Sequence, residues 1–138
     1  DALALRPVAS LHAPVLRVAD VAAGTEVGYG GGYRTAQPSR IATVAIGYGD
    51  GLPAGLGNRG SLHLAGRPAP IVGGVAMGMV ALDVSGYAPG EIQPGMWAEV
   101  YGACQPLPAL AQAAGMAANA LLALSARLAR RRMEARLP

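Results

Sequence analysis

The sequence predicts a mainly β domain, a barrel or sandwich of short strands that ends in one or two helices. Three observations carry this. Over the first two-thirds, short apolar stretches are broken by glycine or proline about every ten residues, and the 138 residues include 20 Gly and 11 Pro. After Cys104 the apolar spacing changes to a helical period. The length suits a single domain, which at this size buries roughly two-thirds of its unfolded surface.

Taken in order, the strands are expected at Arg6–His12, Pro14–Val18, Arg40–Ile46, Ser61–Leu64, Pro70–Val75, Val80–Val84 and Trp97–Tyr101. The Ala13-Pro14 step is read as a break between the first two, because proline has no N–H for a ladder. Ala22-Ala23-Gly24 and Pro89-Gly90 read as turns. Leu62 to Pro68 reads as a hairpin with Ala65-Gly66 near its tip. Pro106-Leu107-Pro108 opens a helix, since proline is tolerated in a first turn. Leu107, Leu110, Ala111 and Ala114 share one face, and Gly115 closes it. A second helix is expected from about Met116, with Leu121, Leu124 and Leu128 on one face, so that the helical segment covers about 106–133.

Hydrophobic residues make up 52% and charged residues 14% of the chain. That balance excludes a disordered chain and points to a surface covered in part by another domain or subunit. No apolar run approaches the roughly 20 residues of a membrane span, and Asp1 to Leu5 lacks the basic start of a secretory signal. With one cysteine, Cys104, an internal disulfide is impossible, and a reducing, cytoplasmic setting is expected.

All 11 cations are arginine. The absence of lysine excludes a P-loop, a catalytic amine and a Schiff base formed by this chain. The formal charge of +3 is concentrated at Arg127, Arg130, Arg131, Arg132 and Arg136. A basic tail can bind nucleic acid, but no aromatic platform accompanies it, so a solvated helix end is expected here and a nucleic-acid partner is not.

Three of the five tyrosines lie among glycines, in Gly28-Tyr29-Gly30-Gly31-Gly32-Tyr33 and in Gly47-Tyr48-Gly49-Asp50-Gly51. Glycine lets the backbone turn sharply and approach a ligand closely. A tyrosine there projects with little cover, but its reference pKa of about 10 means that service as a base needs a neighbouring cation or proton acceptor. A surface aromatic in an ordinary turn has the same pattern. A phosphate loop does not fit, because no helical pattern follows Gly32. His12 and His63 sit in strand patterns without acidic or cysteine partners at metal spacing, which suits core or surface roles. Asp50 is placed to hydrogen-bond its own turn.

The order of segments adds a resemblance. Leu5-Arg6-Pro7-Val8 is followed by Gly28-Tyr29-Gly30 and Tyr33, Pro38-Ser39-Arg40-Ile41-Ala42-Thr43-Val44, Ile46 to Gly51, Ala69-Pro70-Ile71-Val72-Gly73, Met77, and Asp83-Val84. In this order and spacing they resemble the carboxy-terminal domain of bacterial alanine racemases, well over about residues 3–102 and loosely beyond. The resemblance implies a small β-barrel of short strands with one or two helices near the C-terminus. It implies one domain, 1–138, of a longer protein whose pyridoxal 5'-phosphate (PLP) is bound mainly by an amino-terminal barrel domain outside this chain.

By the same resemblance the parent interconverts L- and D-alanine as a head-to-tail homodimer. Tyr29 corresponds to the catalytic tyrosine that exchanges the α-proton on the L face, supplied to the partner subunit's active site. Met77 corresponds to the methionine whose backbone lies near the carboxylate of the small amino-acid substrate, and Tyr48 to a tyrosine lining the access channel. No cofactor-binding or metal residue is expected in this chain, nor a membrane partner. Racemisation needs a base on each face of the substrate, so one base from each of two domains agrees with a lysine-free chain.

The chain departs from the pattern at Ala54 and Gly74, where the family often has arginine, and at Gly78, where it has aspartate. No tyrosine lies near Ala118–Ala120 or anywhere after Tyr101. Closing Arg127-Leu128-Ala129-Arg130 resembles the family's Arg-Val-Pro-Arg only loosely. These losses remove charge from the channel and a contact from the cofactor phosphate. They leave open an alternative, a catalytically degenerate homologue kept for dimerisation or small-molecule binding.

Overall fold

The computed structural model describes residues 9–28 and 30–125. Strand β1 is Leu11–Val21, β2 Glu26–Val27, β3 Tyr33–Arg34, β4 Ser39–Val44, β5 Ser61–Leu64, β6 Arg67–Pro70, β7 Val80–Asp83 and β8 Trp97–Tyr101; α1 is Leu107–Ala114 and α2 Ala118–Ser125. Six strands form one antiparallel sheet in the order β6-β5-β8-β1-β4-β7. The chain leaving β6 then reaches the opposite edge. Ile71 bridges Leu82, and the Val72 N–H donates to the Ala81 carbonyl at 3.0 Å. The sheet is thereby nearly closed into a barrel, which leaves few unpaired edge groups. The small β2–β3 hairpin stands apart from it.

Alternation decides which side chains fill the interior. In β5, Leu62 and Leu64 are buried while Ser61 and His63 are not fully so; β7 buries Val80 and Leu82 in the same way. These meet Val15, Val44, Val100 and Ile71 in one core. Each fully buried Leu or Val contributes about 1.5–3 kcal/mol of transfer energy. Leu110 and Ala111 of α1 and Leu121 of α2 join that core, so the helices close one part of the barrel. On the other face of the sheet, Val27, Ile41 and Val72 form a separate small cluster.

The mainly β reading with terminal helices agrees with this architecture, and the Ser61–Leu64 and Trp97–Tyr101 strands fall where expected. Two details differ. The expected strands Arg6–His12 and Pro14–Val18 are, over the described residues, one strand that runs through Ala13-Pro14. The Val15 N–H and C=O both face β8, bonded to Met96 and Gly95. The nitrogen of Pro14 therefore faces β4, just past the last β4 residue, where no donor is required. Of the expected strand Pro70–Val75, Pro70 ends β6, and Ile71 and Val72 bond to β7 without forming a further strand. The hairpin over Leu62–Pro68 is present, with Ala65 and Gly66 at left-handed φ of 50° and 75°.

Helix α1 has proline in its first turn and ends at Gly115, whose φ of 70° lets its N–H reach the Ala111 and Gln112 carbonyls. Helix α2 begins at Ala118 rather than Met116. Leu128, the arginine cluster and the rest of the expected helical segment to 133 lie outside the described residues. No single helix among the described residues is long and apolar enough to cross a membrane.

Candidate functional site

Three glycine-bearing segments, 28–32, 47–51 and 73–78, meet at one rim, and they meet backbone to backbone. Gly28 has φ +83°, and a Cβ there would lie 2.8 Å from the Gly73 Cα and 3.0 Å from the Gly74 nitrogen. Gly73 has φ +80°, and its Cβ would lie 2.5 Å from the Val27 carbonyl oxygen. A side chain at either position would force the two segments apart, so the glycines are needed for contact as well as for conformation.

The second contact joins 47–51 to 76–77. The Tyr48 N–H donates to the Ala76 carbonyl at 2.9 Å, and the Gly49 N–H to the Met77 carbonyl at 2.8 Å. Residues Tyr48–Asp50 form a single 3-10 turn. The Asp50 carboxylate accepts the Gly47 N–H at 3.0 Å, as its position in the sequence suggests. Gly51, at φ +93°, lets the end of α2 approach: a Cβ there would be 2.6 Å from the Leu124 carbonyl. Helix α2 is itself tied to the barrel through Ser125, whose hydroxyl lies 2.8 Å from that of Tyr101 in a buried pair.

The structure thus brings two of the three sequence-designated residues together. Tyr48 is 52% and Met77 65% exposed, side by side on the rim with Met79 nearby in sequence at 49%. Tyr29 lies outside the described residues; its neighbours Gly28 and Gly30 both take left-handed φ, at 83° and 79°. Of the departures, Ala54 lies in the 3-10 turn Ala54–Leu56, Gly78 faces open space, and Ala118–Ala120 begin α2. A groove of about 430 Å³ adjoins the rim at Gly28, Gly74 and Ala76, and runs toward Arg17, Asp20 and Glu26.

One residue that the sequence reading passed over sits between the loops. Asn58, at a left-handed φ of 56°, donates its Nδ2–H to the Gly32 carbonyl at 2.9 Å and accepts the Gly73 N–H on Oδ1 at 2.7 Å. Its sequence signal is the turn composition Gly57-Asn58-Arg59-Gly60. His12 and His63 flank Glu99 from the two neighbouring strands, with His12 Nε2 3.8 Å from Glu99 Oε1. The other Glu99 oxygen accepts the Cys104 and Gln105 N–H groups, each at 2.8 Å, which anchors the turn that leads to α1. No group of three metal-ligating side chains occurs among the described residues.

The chain carries no amine for the aldehyde of a carbonyl cofactor. The rim it presents instead is built from main-chain groups of the 47–51 and 73–78 segments and of Gly28.

Comparison with known proteins agrees with this geometry. The family described as "Alanine racemase, C-terminal domain" matches residues 8–133. An alanine racemase of Acidiphilium cryptum is 40% identical over 111 residues, which is 80% of this chain and 30% of that protein. A catabolic alanine racemase of Agrobacterium fabrum is 39% identical over 118 residues, 86% of this chain and 30% of that protein. The crystal structure of the biosynthetic alanine racemase of Pseudomonas aeruginosa superposes with a TM-score of 0.81 at 36% identity, covering 88% of this chain and 34% of that one. That of the Bartonella henselae alanine racemase, with covalently bound pyridoxal phosphate, gives 0.79 at 33% identity over 83% and 32%. The chain therefore spans about a third of the length of the relatives it matches.

Proposed function

This chain belongs to the family of alanine racemase carboxy-terminal domains, and on that premise we propose that it completes the active site of a PLP-dependent racemase interconverting L- and D-alanine. In this reading residues 1–138 are one domain of a longer protein, and a separate amino-terminal barrel domain binds the cofactor. Two subunits associate head to tail, so that this domain serves its partner's site. A cytoplasmic setting belongs to the same proposal and rests on the single cysteine.

PLP, when bound, supplies the electron sink for the pair left at the substrate α-carbon. This chain supplies the base on the L face, the Tyr29 hydroxyl, which takes and returns the α-proton. The glycines on either side of position 29 keep its approach clear of other side chains. In this reading the backbone at Met77 holds the substrate carboxylate, and Tyr48 lines the approach beside it. Because the phenol ionises near pH 10 in water, its use as a base needs a cation or proton acceptor from the other domain. Two bases on opposite faces, one from each domain, give a reaction without translational search for either proton partner.

The observation that carries the reading is the rim itself. Gly28, beside Tyr29, packs on Gly73 and Gly74, and the Met77 carbonyl accepts the N–H next to Tyr48. In the full native protein, Tyr29→Phe should lower racemisation by about 10²–10⁴, the usual worth of a positioned base, with the cofactor absorbance retained. Unchanged turnover in the variant would overturn the assignment. A wild-type protein that retains cofactor yet racemises no amino acid would instead favour the degenerate homologue suggested by Ala54, Gly74 and Gly78.

A further inference from the structure

We propose that Asn58 is a positioning residue: its amide bridges the loop that carries Tyr29 to the segment that carries Met77 and so sets their separation. This rests on the racemase reading above for its consequence, but the bridge itself stands on geometry. The Nδ2–H to Gly32 carbonyl contact of 2.9 Å lies on the Tyr29 loop, and the Gly73 N–H to Oδ1 contact of 2.7 Å lies four residues before Met77. The partners are 26 and 15 residues away in sequence, so the bridge joins segments that nothing local holds together. The opposite orientation of the amide would set N–H against N–H and oxygen against oxygen, so one planar group serves both loops in one way only.

Among the described residues the same two segments also touch backbone to backbone. Gly28 against Gly73 limits how closely they approach, but the only side chain among the described residues that hydrogen-bonds to both segments is Asn58. Asn58 is in turn held from the core. Leu56 is fully buried in the barrel interior, and its carbonyl accepts the Arg59 and Gly60 N–H groups at 3.0 and 2.9 Å. That turn presents residue 58 at φ 56°, a conformation asparagine tolerates better than most residues. Directly before it, Gly57 passes so near Gly73 that a Cβ would lie 3.0 Å from the Gly73 carbonyl oxygen. The chain of support therefore runs from barrel core to Leu56, to the turn, to the Asn58 amide, and out to both loops. Aspartate would keep the acceptor and lose the donor. Glycine would keep the backbone conformation and lose both.

The test uses the full native protein with Asn58→Gly and Asn58→Asp beside wild type, assayed in both directions with α-protonated and α-deuterated alanine. Misplacement of the Tyr29 loop by about an ångström should lower kcat by up to about 10²-fold. It should also raise the α-deuterium effect with L-alanine more than with D-alanine, because only the L-face transfer uses Tyr29. A purely structural role would lower the number of cofactor-loaded sites and leave both isotope effects at the wild-type values; that result overturns the proposal. So does a wild-type kcat in Asn58→Gly. Amide exchange at Gly73 in wild type reads the bridge without any variant: protection is expected, and exchange at the rate of a free amide would refute it. The two readings fail separately. If Tyr29→Phe retains full activity, the functional reading falls. If Tyr29→Phe is inactive while Asn58→Gly leaves the isotope effects unmoved, only the positioning role falls.

Discussion

Gly47→Ala is the substitution most sharply set by the structure. A Cβ at residue 47 would lie 2.1 Å from the Ala76 carbonyl oxygen and 2.5 Å from both the carbonyl carbon and oxygen of Met77. These are backbone atoms, so no flexible side chain can yield. The backbone at Gly47 is extended, with φ −149° and ψ −168°, which alanine adopts freely; the whole effect is contact. The two segments must separate by roughly 1 Å to restore ordinary contact, which also stretches the Tyr48 and Gly49 N–H bonds to Ala76 and Met77. Overpacking of this kind costs about 1–3 kcal/mol and each lost bond about 1 kcal/mol, so the variant should lose about 3–5 kcal/mol. The control is Gly78→Ala in the same segment, where a Cβ meets nothing within 4 Å. It should fall within about 0.5 kcal/mol of wild type. Urea titration of the native protein, with amide exchange at Tyr48 and Gly49, measures both. A Gly47→Ala protein as stable as Gly78→Ala, with those amides still protected, would refute the backbone-on-backbone account of the rim.

Two further predictions concern the barrel wall. Burial pushes the Tyr87 phenol above its ordinary value of 10.0, against the lowering effect of Arg67, and its hydroxyl donates to the Arg67 carbonyl at 2.9 Å, shared with that of Leu64 at 3.1 Å. A folded-state pKa above the unfolded one means that this contribution is complete below about pH 10 and is lost as pH rises through the folded value. Tyr87→Phe should therefore be less stable by about 1 kcal/mol near neutrality and lose the disadvantage in alkali; a gap that widens above pH 10 in paired unfolding curves contradicts this. His63 Nδ1 is buried with no hydrogen-bond partner among the described residues, so His63→Leu should be neutral or slightly stabilising, and a loss beyond about 1 kcal/mol would show that the ring nitrogen has a partner in the native protein.

Much of the barrel was legible because alternation along a strand is a local property. Leu62 and Leu64 face the core for the same reason that Ser61 and His63 do not. What misled was proline. Pro14 reads as a break, yet its nitrogen faces the end of β4. Proline is equally harmless in β6: the Ile71 N–H reaches back to Gly60, so Ala69 and Ile71 point their N–H groups at β5, while the nitrogens of Pro68 and Pro70, which carry no hydrogen, face away. Whether a missing donor matters depends on which side of the strand it faces, and a single sequence does not display that. At the rim, Tyr48 and Met77 were found by segment order and glycine composition. Asn58 was not, because its two partners are set by how distant loops fold together rather than by any local pattern.

Barrel closure and rim assembly are one event in this fold. Ile71 and Val72 close the sheet against Leu82 and Ala81, and the segment between those two points is the one that carries Gly73, Gly74 and Met77. Its ends are fixed by ladder bonds and its middle turns on the Ala76 N–H to Met79 carbonyl bond of 3.1 Å. The segment then offers Gly73 to the 28–32 loop and Ala76 and Met77 to the 47–51 turn. A charged side chain at Gly78 could be added without altering that scaffold, since a Cβ there meets nothing within 4 Å and the contacts that build the rim are main-chain contacts and the Asn58 amide. Charge at position 78 is therefore free to vary while the geometry of the rim stays fixed. That separation explains how a chain with glycine at position 78 keeps the family fold.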